Sequence, residues 1–274
     1  MSGPQPTAPG PTTARPRRVY FFATCVIDLM APQAGMDAIE LIRAAGIEVV
    51  FPHDQGCCGQ PAYTSGYRDE ARRVARAQLP LLAQPWPVVV PSGSCGGTMA
   101  HEWPKLFADD PLLGLLARDV ASRIVEWSFF ARDVLGLAQP QRTASAQPVK
   151  VALHTSCHAR RFLGCHVPGE ALLRALPGVQ LVQPARVEEC CGFGGTFSAR
   201  HPAISGAMVG DKLDAVRDAA ADVLVSGDCG CLLNLQLAAD KRAERGERLP
   251  RCVHLASFVR ERLGAREAAQ RVTD

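Results

Sequence analysis

Residues 150–157, KVALHTSC, contain a short apolar run that ends at a cysteine, and residues 19–25, VYFFATC, repeat the arrangement earlier in the chain. Apolar runs of this length are typical of buried strands. A helical pattern and a second strand follow each run, at 38–45 and 47–51 in the first half and at 169–176 and 179–182 in the second. The chain is therefore expected to be a duplication of one strand–helix unit.

The repeat continues with another helix and a third strand in each half, at 68–83 and 87–90 and at 204–220 and 223–225. Strand–helix alternation predicts parallel sheets wound with helices. We expect an α/β fold with two pseudo-symmetric halves, each a small, mostly parallel sheet with flanking helices. The predicted division is a disordered tail at 1–17, a first half at 18–135, a polar linker at 136–148 and a second half at 149–274.

Two further stretches have helical patterns. Residues 112–137 are predicted to form two helical pieces with a break near Ser128, and residues 256–270 are predicted to form a last, exposed helix.

Cysteines occur in the same rhythm in both halves. A lone cysteine is followed after 31 or 32 residues by a Cys-Cys-Gly triplet, and 36 or 39 residues separate the cysteine pair of that triplet from a fourth cysteine. The two sets are Cys25, Cys57, Cys58 and Cys95 in the first half, and Cys157, Cys190, Cys191 and Cys231 in the second. Because sites in open α/β sheets form beyond the carboxyl ends of the strands, the four thiols of a half should meet at one sheet edge. Four thiolates suit an iron–sulfur cluster or tetrahedral zinc.

Adjacent cysteines reach one centre only if the backbone bends, because neighbouring side chains diverge in both strands and helices. Gly59 and Gly192 follow the two pairs and permit positive φ. Gly194 and Gly195 would let backbone N–H groups approach a cluster sulfur, and such hydrogen bonds adjust reduction potential.

The remaining chemistry-bearing residues leave alternatives open. Cys165 and Cys252 have no counterpart in the other half and are interpreted as small buried apolar residues. Cys229 lies two residues before Cys231 and could replace it or pair with it, although Cys231 is the predicted ligand. Three histidines near cysteine loops could tune or replace a ligand, but packing or surface roles are favoured: His53, His154 and His158. The pair at 160–161, Arg-Arg, could offset cluster charge, meet a carboxylate substrate or be an exposed loop pair.

Composition excludes several classes of protein. The 274 residues are 47% apolar and 21% charged with a net charge of +3, which gives no electrostatic footprint for nucleic acid. No segment approaches the ~20 apolar residues of a membrane span. Eleven cysteines, an odd number, without a recognisable secretory signal favour reduced thiols in the cytoplasm over disulfides.

The motifs carry a resemblance to a known family. Residues 55–62, QGCCGQPA, 91–95, PSGSC, 190–198, CCGFGGTFS, and 231–234, CLLN, resemble those of the lactate utilization protein A family. The cysteine spacing is similar to that of the CCG domain in the glycolate oxidase iron–sulfur subunit and in the cysteine-rich subunit of heterodisulfide reductase. The heterodisulfide reductase domain ends each set with Cys-x-x-Cys, whereas Thr98 and Asn234 stand at those positions here. Four ligands per half, rather than five, are therefore expected.

The resemblance implies an iron–sulfur electron-transfer subunit of a cytoplasmic complex that oxidises L-lactate to pyruvate. It implies [4Fe–4S] clusters held by the eight cysteines, and partners in lactate utilization proteins B and C. The chain is expected to work as a component of this oxidoreductase rather than alone, and no catalytic residue is assigned. Two alternatives are a zinc-stabilised scaffold of the same complex, with zinc in one or both sites, and a thiol–disulfide oxidoreductase that uses Cys229 and Cys231 or a vicinal pair.

Overall fold

The computed structural model describes residues 15–139 and 147–273, and for 265–273 it describes the backbone alone. The elements of the first half are β1 (Arg18–Phe21), α1 (Cys25–Met30), α2 (Pro32–Ala44), β2 (Glu48–Val50), α3 (Gln60–Thr64), α4 (Arg68–Gln78), β3 (Val88–Val90), α5 (Gly93–His101), α6 (Trp103–Leu106), α7 (Pro111–Ser122), β4 (Ile124–Glu126) and α8 (Trp127–Asp133). A 3-10 turn, Leu79–Leu82, extends α4.

The second half repeats the strand order of the first with fewer helices. Its elements are β5 (Val149–His154), α9 (His166–Ala175), β6 (Val179–Val182), α10 (Phe197–Arg200), α11 (Pro202–Asp218), β7 (Val223–Ser226), α12 (Cys229–Ala243), β8 (Arg251–His254) and α13 (Leu255–Thr273). A π-helical turn, Ala159–Leu163, follows β5.

Each half builds one four-stranded parallel sheet, and the predicted α/β fold is confirmed. The orders are β2-β1-β3-β4 and β6-β5-β7-β8, so each strand has an equivalent partner in the other sheet. The register places Val19 opposite Val49 and Val151 opposite Leu181. Because all pairs are parallel, every strand of a sheet ends at the same edge.

Two local predictions differ from the structure. The break in the helical stretch 112–137 lies before Ser128 and contains β4, and β8 likewise adds a fourth strand to the second sheet. The last helix is not fully exposed, because Leu255, Phe258 and Val259 are buried. The predicted tail at 1–17 and linker at 136–148 lie largely outside the described residues, which begin at 15 and omit 140–146. None of the helices described is both long and apolar enough to cross a bilayer.

The largest hydrophobic core lies between the two halves. Phe21, Trp127 and Phe130 of the first half share it with Leu173 and Phe258 of the second. Helix α2 packs on α13, and α8 packs on α9. A smaller core lies within each half on the other side of its sheet. Parallel sheets need both faces covered, so each half depends on the other to bury one face.

An ion pair fastens the two halves at the α2–α13 contact. Asp37 on α2, whose side chain is 6% exposed, accepts a hydrogen bond from Arg260 on α13 at 2.7 Å. Burial disfavours ionisation of Asp37, but hydrogen bonds from Ser257, Gln33 and Arg260 outweigh burial and lower its pKa. The carboxylate therefore stabilises the folded state wherever it is ionised.

Replacing this carboxylate should weaken the fold in a pH-dependent way. We expect Asp37→Asn to reduce the free energy of unfolding by about 1–3 kcal/mol at pH 7, the range for hydrogen bonds to charged groups. The folded pKa lies below the unfolded value of about 3.9, so the wild-type advantage is complete above pH ~4 and disappears as pH falls through the folded pKa. Urea unfolding from pH 7 to pH 2.5 measures the difference. The exposed Asp211 offers a control, since Asp211→Asn should show no such dependence.

Candidate metal centres

The strands deliver the predicted cysteines to one edge of each sheet. Cys25 opens α1, four residues after β1, and Cys95 lies in the first turn of α5, after β3. In the second half Cys157 follows β5, and Cys231 lies in the first turn of α12 after β7. The neighbouring strands β1 and β3, and β5 and β7, therefore bring separate loops together.

The four thiols of the first half form one connected group, which we call the first quartet. The Sγ of Cys57 accepts hydrogen bonds from the thiols of Cys25 and Cys58, and Cys58 also contacts Cys95. These two bonds, with one from the Gly59 N–H at 3.4 Å, lower the pKa of Cys57 to about 3. Hydrogen bonding raises the pKa of Cys25 and Cys58, since each donates its proton, and burial adds to the effect. Cys57 is therefore the member of the group whose thiolate form is favoured most.

The second quartet repeats this arrangement contact by contact. Cys190 accepts from Cys157 and Cys191, and Cys191 also contacts Cys231. The Gly192 N–H donates to Cys190 Sγ at 3.4 Å, and the pKa of Cys190 falls to about 2. The pKa values of Cys157 and Cys191 are raised by hydrogen bonding first and by burial second. All eight predicted residues therefore lie in two groups of four.

Left-handed glycines create the bend that lets adjacent cysteines face one centre. Gly59 has φ +85° and Gly192 has φ +81°. A Cβ at Gly59 would lie 3.2 Å from the backbone oxygen of Ala71, and one at Gly192 would lie 2.7 Å from that of Ser205. Both conformation and space therefore require glycine after each pair.

A side chain from a helix further along the chain, α6 in the first half and α12 in the second, holds each cysteine pair in place. The Trp103 Nε1–H donates to the carbonyl oxygen of Cys58 at 2.9 Å, and Asn234 Nδ2 donates to that of Cys191 at 2.8 Å. Asn234 occupies a position where a related domain has a second cysteine, and here it supports the pair instead. Sequence reasoning missed Trp103, since a buried tryptophan gives no sign of its hydrogen-bond partner.

The loop of the first pair is also tied to the strand that delivers Cys25. Gln55 accepts from the Ala23 N–H at 2.8 Å and donates to the Phe21 oxygen at 3.2 Å. These bonds join the end of β1 to the loop of Cys57, so they fix the distance between two members of the first quartet.

A histidine completes the surroundings of the second quartet. Nitrogen of His154 and the sulfurs of Cys191 and Cys231 all lie within 4.8 Å of one another. The ring is 2% exposed, and among the described residues neither nitrogen has a hydrogen-bond partner. Burial lowers its pKa to about 3, so the imidazole is neutral and can act as a ligand or a donor. The other two candidates pack on aromatic rings, His53 on Phe51 and His158 on Phe162.

The three remaining cysteines lie in different surroundings. Cys165 is buried between the halves beside Glu126, whose pKa burial raises to about 7. Cys229 is 2% exposed, and burial followed by the charge of Asp228 raises its pKa to about 12. Burial also raises the pKa of Cys252 to about 12. Cys231 rather than Cys229 contacts the pair in the second half.

The donor sets fit a bound metal or cluster. All eleven cysteines lie in the described part of the chain and are free. Four sulfurs connected by close contacts in each half match the thiolate ligation of an iron–sulfur cluster. Among the described residues, His154, Cys191 and Cys231 form a set close enough to hold a single ion such as zinc. The unpartnered His154 beside the second quartet is a buried polar group of the kind that a bound centre would satisfy.

Fold and sites together define a duplicated cysteine-rich α/β protein with one thiol quartet per half. The model of the cysteine-rich CCG domain matches residues 19–100 and 151–236, one stretch within each half. The chain is 38% identical over 245 residues to lactate utilization protein A of Bacillus subtilis strain 168, covering 89% of this chain and 100% of that protein. It is also 38% identical over 250 residues to lactate utilization protein A of Halalkalibacterium halodurans, covering 91% and 99%. The chain belongs to the lactate utilization protein A family, as the sequence motifs predict.

A solved structure shares the fold at low sequence identity. The crystal structure of a hypothetical protein from Helicobacter pylori superposes with a TM-score of 0.61 at 11% identity. The match covers 94% of this chain and 51% of that chain, so it supports the architecture alone.

Proposed function

We propose that this protein is an iron–sulfur electron-transfer component of a cytoplasmic system that oxidises L-lactate to pyruvate. The observation that carries the proposal is the convergence of two thiol quartets at equivalent sheet edges. The names of the relatives supply the metabolic context, lactate utilization. Reduced thiols persist in the cytoplasm, which suits eleven free cysteines.

Each quartet would hold one [4Fe–4S] cluster through its four sulfurs, and a bound cluster supplies one-electron chemistry. Oxidation of lactate breaks the C2–H and O–H bonds, forms the pyruvate C=O and releases two protons and two electrons. Two one-electron centres in one chain match this pair of electrons. The residues of this chain hold and shield the centres, and lactate utilization proteins B and C are the proposed partners for substrate chemistry and onward transfer.

The loops of the two quartets touch, which supports passage of charge between them. The Gly93 N–H donates to the Gly227 oxygen at 3.4 Å, and the Ser94 N–H donates to Asp228 at 2.8 Å. Gly93 lies two residues before Cys95, and Gly227 lies four residues before Cys231. The loops that carry Cys95 and Cys231 are therefore in direct contact.

A zinc-stabilised scaffold is the second candidate because His154 joins Cys191 and Cys231 in a mixed nitrogen and sulfur set. The thiol–disulfide alternative that uses Cys229 and Cys231 has less support. Burial and a raised pKa make Cys229 a poor nucleophile, since the thiolate is the reactive form.

Metal analysis of protein purified without oxygen distinguishes these functions. We expect a brown protein with about eight iron and eight sulfide per chain, the content of two [4Fe–4S] clusters, and with absorbance that dithionite bleaches. A colourless protein with stoichiometric zinc would contradict electron transfer and support the scaffold. A metal-free protein that consumes disulfides would support the third hypothesis.

A further inference from the structure

The two quartets have different neighbours at equivalent positions. Aligning Cys25 with Cys157 places Phe22 opposite His154, three residues before the lone cysteine in each half. Phe22 is fully buried and packs edge-on against Trp103, with ring centroids 6.4 Å apart. The first quartet therefore adjoins an apolar ring where the second adjoins an imidazole.

A buried ammonium adds to this difference. Gln78 in α4 and Lys212 in α11 both face the loop that precedes their cysteine pair. Gln78 accepts from the Gly56 N–H at 2.8 Å, whereas Lys212 Nζ donates to the oxygens of Arg186 at 3.0 Å and Val187 at 3.3 Å. Lys212 is 3% exposed and interacts electrostatically with the thiols of the second pair. A neutral amide in the first half thus corresponds to a positive charge in the second.

The residue three positions after the lone cysteine is also more positive in the second half, where Arg160 stands in place of Asp28. Asp28 is exposed, whereas the Arg160 side chain is 15% exposed and lies 3.8 Å from Glu188. Glu188 is 77% exposed and the neighbouring Glu189 is 43% exposed. Solvent screens these exposed carboxylates more strongly than the buried Lys212. The buried Asp228 carboxylate also acts on Cys231, but it accepts hydrogen bonds from the Ser92 hydroxyl and the Ser94 N–H in the loop of the first quartet. Asp228 therefore bears on both centres, whereas Lys212 contacts the loop of the second cysteine pair and makes the surroundings of that pair more positive.

An electropositive environment and nearby hydrogen-bond donors favour the more negative, reduced state of a thiolate-bound cluster. Resting on the function above, we propose that His154 and Lys212 give the second centre the higher reduction potential. Electrons then run in one direction inside the chain. With clusters bound by the two quartets, one electron would pass from the reduced first centre to the oxidised second centre without any bond forming or breaking. The second half is therefore the exit side.

Redox titration followed by electron paramagnetic resonance tests this assignment. The variants C57S and C191S each remove one ligand, from the first and the second quartet respectively. The signal that is lost in each variant identifies the centre of that half. In the intact protein we expect the second centre to be reduced first. Lys212→Gln places in the second half the residue type that the first half has in Gln78. It should lower the equilibrium constant for electron transfer from the first to the second centre about tenfold, which is a fall of about 59 mV in the reduction potential of the second centre. His154→Phe should shift it in the same direction.

Reciprocal and control variants keep the test independent of folding defects. Gln78→Lys should raise the potential of the first centre. Lys150 lies near the start of β5, the strand that ends at His154, so Lys150→Gln should change neither potential. Equal potentials in the wild type, or unchanged potentials in Lys212→Gln and Gln78→Lys, would overturn the inference while leaving an iron-containing protein and its proposed function intact. Absence of iron and sulfide would instead refute the function itself.

Discussion

Cys57→Ser should remove about half of the bound metal, and Cys191→Ser should remove the other half. Each residue is a central member of its quartet, in contact with the thiols on either side in its group. A serine hydroxyl is not a thiolate and does not replace it as a soft ligand. Because metal binding contributes to the folding free energy, each variant should also lose stability, by several kcal/mol where the bound centre is structural.

Cys165→Ser is the matched control for these variants. Cys165 is buried, as Cys191 is, but its neighbour is Glu126, which can accept a hydrogen bond from the new hydroxyl. We expect unchanged iron and sulfide. Iron, sulfide and zinc analysis with thermal unfolding measures all three proteins, and equal metal content in the three would refute the assignment of the ligands.

The sequence predicts those features that depend on local pattern and chain order. Strand β5 and the cysteine after it are visible as an apolar run and a residue type, and parallel topology then places the thiols at one edge. The duplication provides an internal check, because both halves repeat the same order. This is why the sequence alone could predict two sets of four cysteines, each delivered to one sheet edge.

Features that depend on packing between distant segments could not be predicted in the same way. Strand β4 has three residues between two helices, too few to show a period of two. Burial of Phe258 comes from the other half of the molecule, and the residues of α13 alone do not reveal it. Aligning the cysteines of the two halves shows that Phe22 and His154 occupy equivalent positions. The proximity of His154 to Cys191 becomes visible only in the folded structure.

The conformation of Gly192 should be as important to the second quartet as a ligand. In Gly192→Ala the left-handed backbone costs about 1–2 kcal/mol. The new Cβ would also lie 2.7 Å from the Ser205 backbone oxygen and 3.2 Å from the Met208 side chain. Helix α11 must move or the Cys-Cys turn must open, and either change displaces Cys190 and Cys191. We expect a loss of more than ~3 kcal/mol, typical of severe single substitutions, together with loss of the second centre.

Gly246→Ala is the control that separates the cost of the left-handed backbone from the steric displacement of the cysteine pair. Gly246 has φ +83°, and among the described residues no atom lies within 4 Å of its Cβ position. The substitution should therefore cost only the ~1–2 kcal/mol of the left-handed conformation and leave iron and sulfide unchanged. Urea unfolding and metal analysis compare the two variants. If both lose the same stability and both keep their metal, the close contact between Gly192 and α11 does not hold the cysteine pair, because conformation alone would account for the effect.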